Sequence, residues 1–315
     1  MLMSGFGLNI ELDVEESAVA DSAGLGFEWF DVASRAALTE PRAALEGLGP
    51  VPASPRFVDP EAWNPAGAAV RLSGTLEVSD QRARPFDATS MSWLESRMPS
   101  RPERVDLTFA MFAGEEPDSP NVWWPSLYAH RPGKSPGWLR IGAYVAESLF
   151  LDERHGSAAQ RLWLELLRSF AERCNPGFGQ IEYGYDTFGS TALEKSLSPD
   201  LPRHERSPRY TVAESRKYLR GYSWLTVLPA ELAEQLGGVA ALSASGAFAE
   251  VSALATGGVW LQATADYRAY GAEQVGRVHA ALAGVLRPGE LVRRDTAELG
   301  RPPHRLVFTS AGEGA

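Results

Sequence analysis

The carboxyl groups that could act together in acid–base catalysis lie in a short, tyrosine-rich segment. Glu182 and Asp186 bracket Tyr183 and Tyr185 in the sequence GQIEYGYD. Paired carboxyl groups can donate and accept protons during hydrolysis, and His155 could join them in a deep pocket. The segment alternates as strands do, so Glu182 and Tyr185 should point to opposite faces. This arrangement favours a solvated sheet edge over a catalytic pair.

Sequence motifs for metal binding, nucleophilic catalysis and phosphate binding are absent. The histidines do not pair at helical spacing. The lone cysteine, Cys174, permits neither a disulfide within the chain nor a cysteine-based zinc site. Neither Gly-x-Ser-x-Gly nor a glycine-rich phosphate loop occurs. We therefore expect no catalytic residues, no metal and no cofactor.

Aromatic residues beside acids mark two segments that we expect to contact another protein. The chain has nine Trp and nine Tyr, and they cluster. Core packing explains most of them, but exposed Tyr and Trp are enriched in the energetically important parts of protein interfaces. The two segments are the strand at 182–186 and the loop at 265–270. The predicted contact residues are Glu182, Tyr183, Tyr185, Asp186, Asp266, Tyr267 and Tyr270.

The charge balance favours a basic protein as the partner. The chain carries 30 Lys and Arg against 40 Asp and Glu, which gives a net charge of −10. Nucleic acids and anionic membranes bind basic surfaces, so neither is expected as a partner. A basic protein would be attracted by the acidic surface, although acidity that serves solubility alone is the alternative.

Other features indicate a cytoplasmic bacterial protein. The N-terminal segment carries Asp13, Glu15 and Glu16 and does not resemble a signal peptide. The apolar runs are too short for a membrane-spanning helix, which needs about 18 residues or more. A single cysteine suits a reducing compartment. The composition, rich in Ala, Gly, Pro and Arg with few Lys, is typical of a high-GC bacterial genome.

Alternation of apolar and polar residues predicts most of the strands. Residues 222–228 are apolar almost throughout, which is typical of a strand buried on both faces. Thr256-Gly257-Gly258 is a hairpin signal between two strand-like segments. The predicted strands span 7–13, 69–79, 104–114, the first half of 137–150, 179–186, 222–228, 247–255, 259–264 and 305–309.

Helical spacing of apolar residues predicts the main helices. In 156–177 one apolar face runs from Trp163 to Cys174, and Ser157 with Gln160 fits a capping box. The segment 28–48 should be interrupted or restarted at Pro41. Further helices are predicted at 229–236, ended by Gly237-Gly238, and at 271–286.

These elements predict an α+β protein with a largely antiparallel sheet flanked by amphipathic helices. Two modules are suggested: a strand-rich N-terminal module with Pro-rich loops at 1–155, and an α+β module at 156–315. One continuous domain is the alternative. Each set of strands is closed by an amphipathic helix, so two related α/β modules are a further alternative.

One stretch resembles a known family. Its features are Leu219-Arg220-Gly221-Tyr222-Ser223-Trp224, then a strand, Pro229 and a short helix, Leu236-Gly237-Gly238, and the strand GVWLQAT that ends at Thr264. Together they resemble the C-terminal half of the bacterial immunity-type family found beside type VI and polymorphic toxins. The similarity covers residues 210–286 and does not extend to the N-terminal half.

The resemblance implies a non-catalytic protein that binds a partner toxin and blocks it by occlusion. A basic toxin would suit the acidic chain. Two alternatives stay open. One is a structural or scaffold component of a larger assembly, and the other is a hydrolase that uses acidic residues near Glu182 and Asp186. The sequence does not indicate an oligomeric state.

Overall fold

The structure is a computed structural model that describes residues 7–47, 70–79, 83–113, 122–123, 125–185, 189–190 and 211–287. Asp186, the Pro-rich segment at 50–65 and the predicted strand at 305–309 lie outside these residues. Within the described part of the chain, each helix is too short or too polar to cross a membrane.

Strands and helices are mixed along the described chain. The strands are β1 (Gly7–Glu15), β2 (Val70–Val78), β3 (Arg84–Pro85), β4 (Arg104–Ala113), β5 (Val122–Trp123), β6 (Ser126–His130), β7 (Trp138–Ala146), β8 (Phe178–Tyr185), β9 (Gly189–Ser190), β10 (Leu225–Leu228), β11 (Glu250–Ala253) and β12 (Val259–Gln262). The α-helices are α1 (Ser22–Ala37), α2 (Thr39–Gly47), α3 (Ser90–Arg97), α4 (Glu147–Leu151), α5 (Gly156–Ala171), α6 (Ala230–Gln235), α7 (Gly238–Ala244) and α8 (Ala272–Leu282).

The chain folds as two compact units. The first comprises Met1–Val19, Pro132–Arg140 and Glu147–Ala315. The second comprises Ala20–Arg131 and Ile141–Ala146. The N-terminal strand β1 therefore belongs to the same unit as the C-terminal half, whereas the sequence suggested modules at 1–155 and 156–315.

The sheet of the first unit is antiparallel. Its strands are hydrogen-bonded in the order β11-β12-β10-β8-β1, and β9 pairs with β8. Ile181 of β8 lies opposite Ile10 of β1 and Leu225 of β10, so one face of the central strands is apolar. Helix α5 packs against β1 and buries Trp163 and Leu167. This burial of large apolar side chains provides most of the favourable free energy of the unit.

The second unit has its own antiparallel strands and helices. Its strand order includes β6-β4-β2-β3, with β5 paired to β4. Helix α1 contacts β6, and α2 contacts α1 and β2. The rings of Phe86 and Phe109 meet edge to face with centroids 5.0 Å apart. Trp29 is buried and donates its indole N–H to the Gly142 carbonyl at 2.9 Å, which satisfies its polar group.

The predicted fold class is confirmed: the chain is α+β with a large antiparallel sheet. Strand β10 is buried at every residue, as its apolar run predicts. Gly257 has φ of +103° in the hairpin between β11 and β12, which glycine adopts without strain. Helix α1 stops before Leu38 and α2 begins at Thr39, so the helix restarts with Pro41 in its first turn.

The predicted capping box at Ser157 and Gln160 is wrong. His155 is the N-cap of α5, and its side chain makes no capping hydrogen bond. Asp152 accepts the N–H of His155 at 2.5 Å instead, and Gln160 is used elsewhere. Helices α3 and α7 were not predicted, because each is short and has few apolar residues at helical spacing.

Candidate functional site

Five residues near the start of α5 form a small surface that we call the Asp266 corner. They come from α4, from the turn that joins α4 to α5, and from the 3₁₀ turn Tyr267–Ala269 with the residue before it. This 3₁₀ turn contacts α4. Electrostatic attraction between Arg268 and Glu153 links the two segments. The Asp266 corner consists of Leu149, Asp152, Glu153, Asp266 and Arg268.

Gln160 and Tyr267 fix the 3₁₀ turn to the helices. The Gln160 side chain donates to the Phe150 carbonyl at 3.1 Å and to Asp266 Oδ1 at 3.3 Å. Its oxygen accepts the backbone N–H of Tyr267 at 3.0 Å. The Tyr267 hydroxyl donates to Glu147 Oε1 at 2.8 Å. Both side chains are buried, so the corner is ordered before any partner arrives, which lowers the entropic cost of binding.

Asp266 stays ionised to low pH. Arg268 donates to its carboxylate through Nη2 at 2.5 Å and Nε at 2.9 Å. This side-chain bond, together with the Arg268 backbone N–H and Gln160, lowers the pKa of Asp266 to about 2. The same pair raises the pKa of Arg268. The corner therefore presents a fixed ion pair at neutral pH.

The exposed face of the corner combines an apolar side chain with charges of both signs. Leu149 is 37% exposed, and with Val32 it is one of two large apolar side chains exposed among the described residues. Asp152, Glu153 and Arg154 are exposed beside it along the chain. Exposed apolar and charged side chains occur together in many protein contacts.

Four of the predicted contact residues are buried, which corrects the expectation that they would be exposed. Glu182 and Tyr183 are 1% and 5% exposed, and Tyr267 and Tyr270 are 3% and 4% exposed. Strand β8 lies between β1 and β10 and is not at a sheet edge. The tyrosine rings bury large apolar areas in the first unit, and burial raises the pKa of Tyr270. Partner contact through these residues stays a prediction.

The remaining predicted contact residues are Asp266, Tyr185 and Asp186. Asp266 is partly exposed in the corner, with a side chain 32% accessible. Tyr185 is the last residue of β8. Asp186 lies outside the described residues. The structure thus brings Asp266 and Tyr267 together in one turn and places Glu182 and Tyr183 in the middle of the sheet.

Glu182 belongs to a row of polar side chains, the buried polar strip, in which Glu11, Asp13, Gln180 and Glu182 are buried and Asn9 is half-buried. Asn9 lies opposite Glu182, and Glu11 lies opposite Gln180. Asn9 donates to Glu11 at 2.9 Å and to Glu182 at 3.4 Å. Gln180 donates to the other oxygen of Glu11 at 3.3 Å. Buried carboxylates need hydrogen-bond donors of this kind. The polar side chains of the strip are therefore accounted for by their bonds to one another.

Two arginines neutralise the end of the buried polar strip at Asp13. Arg140 donates to Asp13 Oδ1 through Nε at 2.7 Å and to Oδ2 through Nη2 at 3.0 Å. Arg220 also donates to Oδ2 and stacks over the Phe178 ring at 5.2 Å. Asp13 is fully buried, and the side chain of Arg220 is 3% exposed. Ion pairs this deeply buried are costly to break.

The residues that a hydrolase would use, His155 and Glu182, differ in exposure: His155 is exposed and Glu182 is buried. The His155 side chain is 77% exposed and lies 3.2 Å from Asp152. Glu182 is buried in the strip. In the ranges that the structure describes, no three His, Cys, Asp or Glu side chains cluster as metal ligands would.

The sequence patterns did not indicate the exposure of Leu149 or the buried hydrogen bonds of Gln160 and Arg220. Leu149 follows the strand predicted in the first half of 137–150, and its exposure depends on how the neighbouring elements pack. Gln160 was assigned to a capping box. The alternation of Asn9 and the acids of β1 with apolar residues signals a polar face, but not that this face is buried.

Comparison with known proteins finds a likeness in fold but no family. No family model matches it, and no curated protein is significantly similar. A solved structure, that of the Pseudomonas aeruginosa T6SS protein PA0821, has a similar fold with a TM-score of 0.52. The likeness covers 92% of this chain and 76% of that one, at 16% sequence identity. At this identity, the likeness shows the fold alone.

Proposed function

We propose that this chain is a non-catalytic, immunity-type protein that binds a partner toxin and blocks it by occlusion. The observation that carries the proposal is the fold likeness, over 92% of the chain, to a protein described as a T6SS protein. The resemblance of residues 210–286 to immunity-type proteins agrees with it. The net charge of −10 suits a basic toxin. Such a protein would act in the cytoplasm, where it protects the cell that makes the toxin.

The Asp266 corner is the proposed contact surface. The Tyr267–Ala269 turn is held by buried hydrogen bonds, so little side-chain freedom is lost when a partner binds. Leu149 supplies the apolar centre, and Glu153 supplies a charge at the rim. Leu149 should therefore contribute more to affinity, and Glu153 more to the rate of association.

Co-expression with the product of the adjacent gene tests the function. We expect that product alone to stop growth of a bacterial host and this chain to restore growth. We also expect the two purified proteins to form a stable complex. If the adjacent product is harmless on its own, or stays toxic while bound to this chain, the immunity function is refuted.

Substitution of exposed residues tests the surface. Leu149→Arg should weaken the complex by about 30-fold, as expected for an interface centre. Val32→Arg is the matched control, because Val32 is 42% exposed and lies in the second unit. It should leave both thermal stability and affinity unchanged. Equal affinity for Leu149→Arg and the wild type, measured by titration calorimetry, would place the contact elsewhere.

A structural component of a larger assembly is the second candidate. The favouring observation is that the name of the structural neighbour specifies T6SS and no immunity role. The candidate predicts a stable complex with another component of the secretion system and no rescue of growth. The co-expression experiment therefore separates the two.

A further inference from the structure

Within the described ranges, the sheet of the first unit ends at β11, which forms its edge strand. Among the described strands, β11 is last in the order and pairs with β12 alone. Leu254 donates its N–H to the Gly258 carbonyl at 2.7 Å, so Ser252, two residues earlier, also turns its backbone groups toward β12. The N–H and C=O groups of Val251 and Ala253 then point outward. Ala253 is exposed and Val251 is half-buried, which leaves these groups accessible.

The edge strand β11 is short, with four residues, and α7 contacts it, but two other common protections against added strands are missing from its sequence. Natural edges are often blocked by Pro, by Lys or by a charged side chain. The segment AEVSALA contains neither Pro nor Lys. Its one charged side chain, that of Glu250, is held by Arg168 of α5 at 2.7 Å. The edge is therefore open to a further strand.

Arg168 also makes the edge rigid. It donates to Ser252 Oγ at 2.8 Å and lies over the Trp260 ring at 5.4 Å. It pairs with Glu172 at 3.5 Å as well. One side chain of α5 thus joins β11 to β12 and holds the edge in a single conformation, so an incoming strand would not need to order it.

We propose that β11 binds an extended segment of the partner protein as an additional strand, with alternating basic and apolar side chains. Side chains alternate across a strand, so those on the α5 face would meet Glu172 and Glu250. These two carboxylates face the single guanidinium of Arg168, which favours a basic residue there. Side chains of the incoming strand on the opposite face would lie beside Val251 and Ala253. Apolar residues are therefore favoured at those positions of the incoming strand.

This inference rests on the proposed partner-binding function and names a backbone contact for it. Its test needs no toxin, so it can fail while the growth rescue succeeds. The probe is a capped octapeptide of alternating Lys and Val, titrated into the full-length, ¹⁵N-labelled protein. We expect the amide signals of Val251 and Ala253 to shift and their hydrogen exchange to slow. The amides of Ser252 and Leu254 should be protected from hydrogen exchange both with and without the peptide.

Backbone and charge variants supply the controls. Val251→Pro removes an outward N–H, which an edge strand tolerates, and should weaken peptide binding about tenfold with little change in Tm. Val251→Thr keeps that N–H and should bind as the wild type does. Ser252→Pro removes an N–H that faces β12 and should lower Tm instead. An octapeptide of alternating Glu and Val should bind at least about tenfold more weakly than the Lys and Val peptide.

Three outcomes would overturn the proposal. One is the absence of shifts at Val251 and Ala253 at millimolar peptide. Another is equal binding by Val251→Pro and the wild type. The third is protection of both amides in the free protein that increases with protein concentration, because a second copy of this chain would then occupy the edge.

Discussion

Asp13→Asn is the substitution that most directly tests the buried polar strip. The side chain keeps its shape but loses its charge. Asp13 accepts two hydrogen bonds from Arg140 and one from Arg220, and it is fully buried. An amide has a single acceptor oxygen, so its NH₂ group would face at least one of the three N–H donors that now bind the carboxylate. Both guanidinium groups would then face a neutral amide in place of the carboxylate.

The cost follows from the lost charge and from the one or two lost bonds. A hydrogen bond to a charged group contributes about 1.5–3 kcal/mol, so the loss of one or two of them costs about 2–6 kcal/mol. Removing one partner of a buried ion pair gives a similar figure, about 3–5 kcal/mol. At about 2–4 °C per kcal/mol for a unit of this size, Tm should fall by about 10 °C or more.

Thermal and urea unfolding, followed by circular dichroism, would measure the loss. Asp21→Asn is the matched control, because it removes the same charge from an exposed N-cap that accepts the Gly24 N–H at 2.8 Å. Asn caps helices as well as Asp does, so the control should change stability by less than about 0.5 kcal/mol. A loss below about 1 kcal/mol for Asp13→Asn would refute a buried, charged strip.

Two further predictions use the pKa shifts. The pKa of Asp266 is lowered to about 2, so its pairing with Arg268 stabilises the corner above about pH 4 and is lost as the pH falls toward 2. Asp266→Asn should remove that part of the acid dependence of Tm, and an unchanged acid profile would contradict the pairing. Burial raises the pKa of Cys174 to about 11, so a thiol reagent at about pH 8 should label it slowly in the native protein and rapidly in urea. Rapid native labelling would mean that Cys174 is not buried.

Much of the fold could be predicted from local patterns. The apolar run of β10, the glycines of the β11–β12 hairpin and the apolar face of α5 each act through nearby residues. Local patterns do not show which strands become neighbours. Strand β1 pairs with β8, although Asn9 and Glu182 are far apart in the chain. That pairing buries a segment that was expected to be a solvated edge.

The candidate site was only partly predictable for the same reason. The segment at 265–270 was identified by its aromatic and acidic residues, and it does form a turn with Asp266 at its start. Its tyrosines were expected outside, but Tyr267 reaches Glu147 in the interior. Exposure depends on which elements pack together, so no single residue type determines it.

The residues that carry the family resemblance serve the scaffold. Arg220 binds Asp13, and the Trp224 indole donates to the Thr264 carbonyl at 2.9 Å. Gly237, with φ of +84°, allows the turn between α6 and α7. If the proposed function holds, specificity should therefore change when Leu149 or the β11 edge changes, whereas Arg220→Met should lower stability without redirecting the choice of partner.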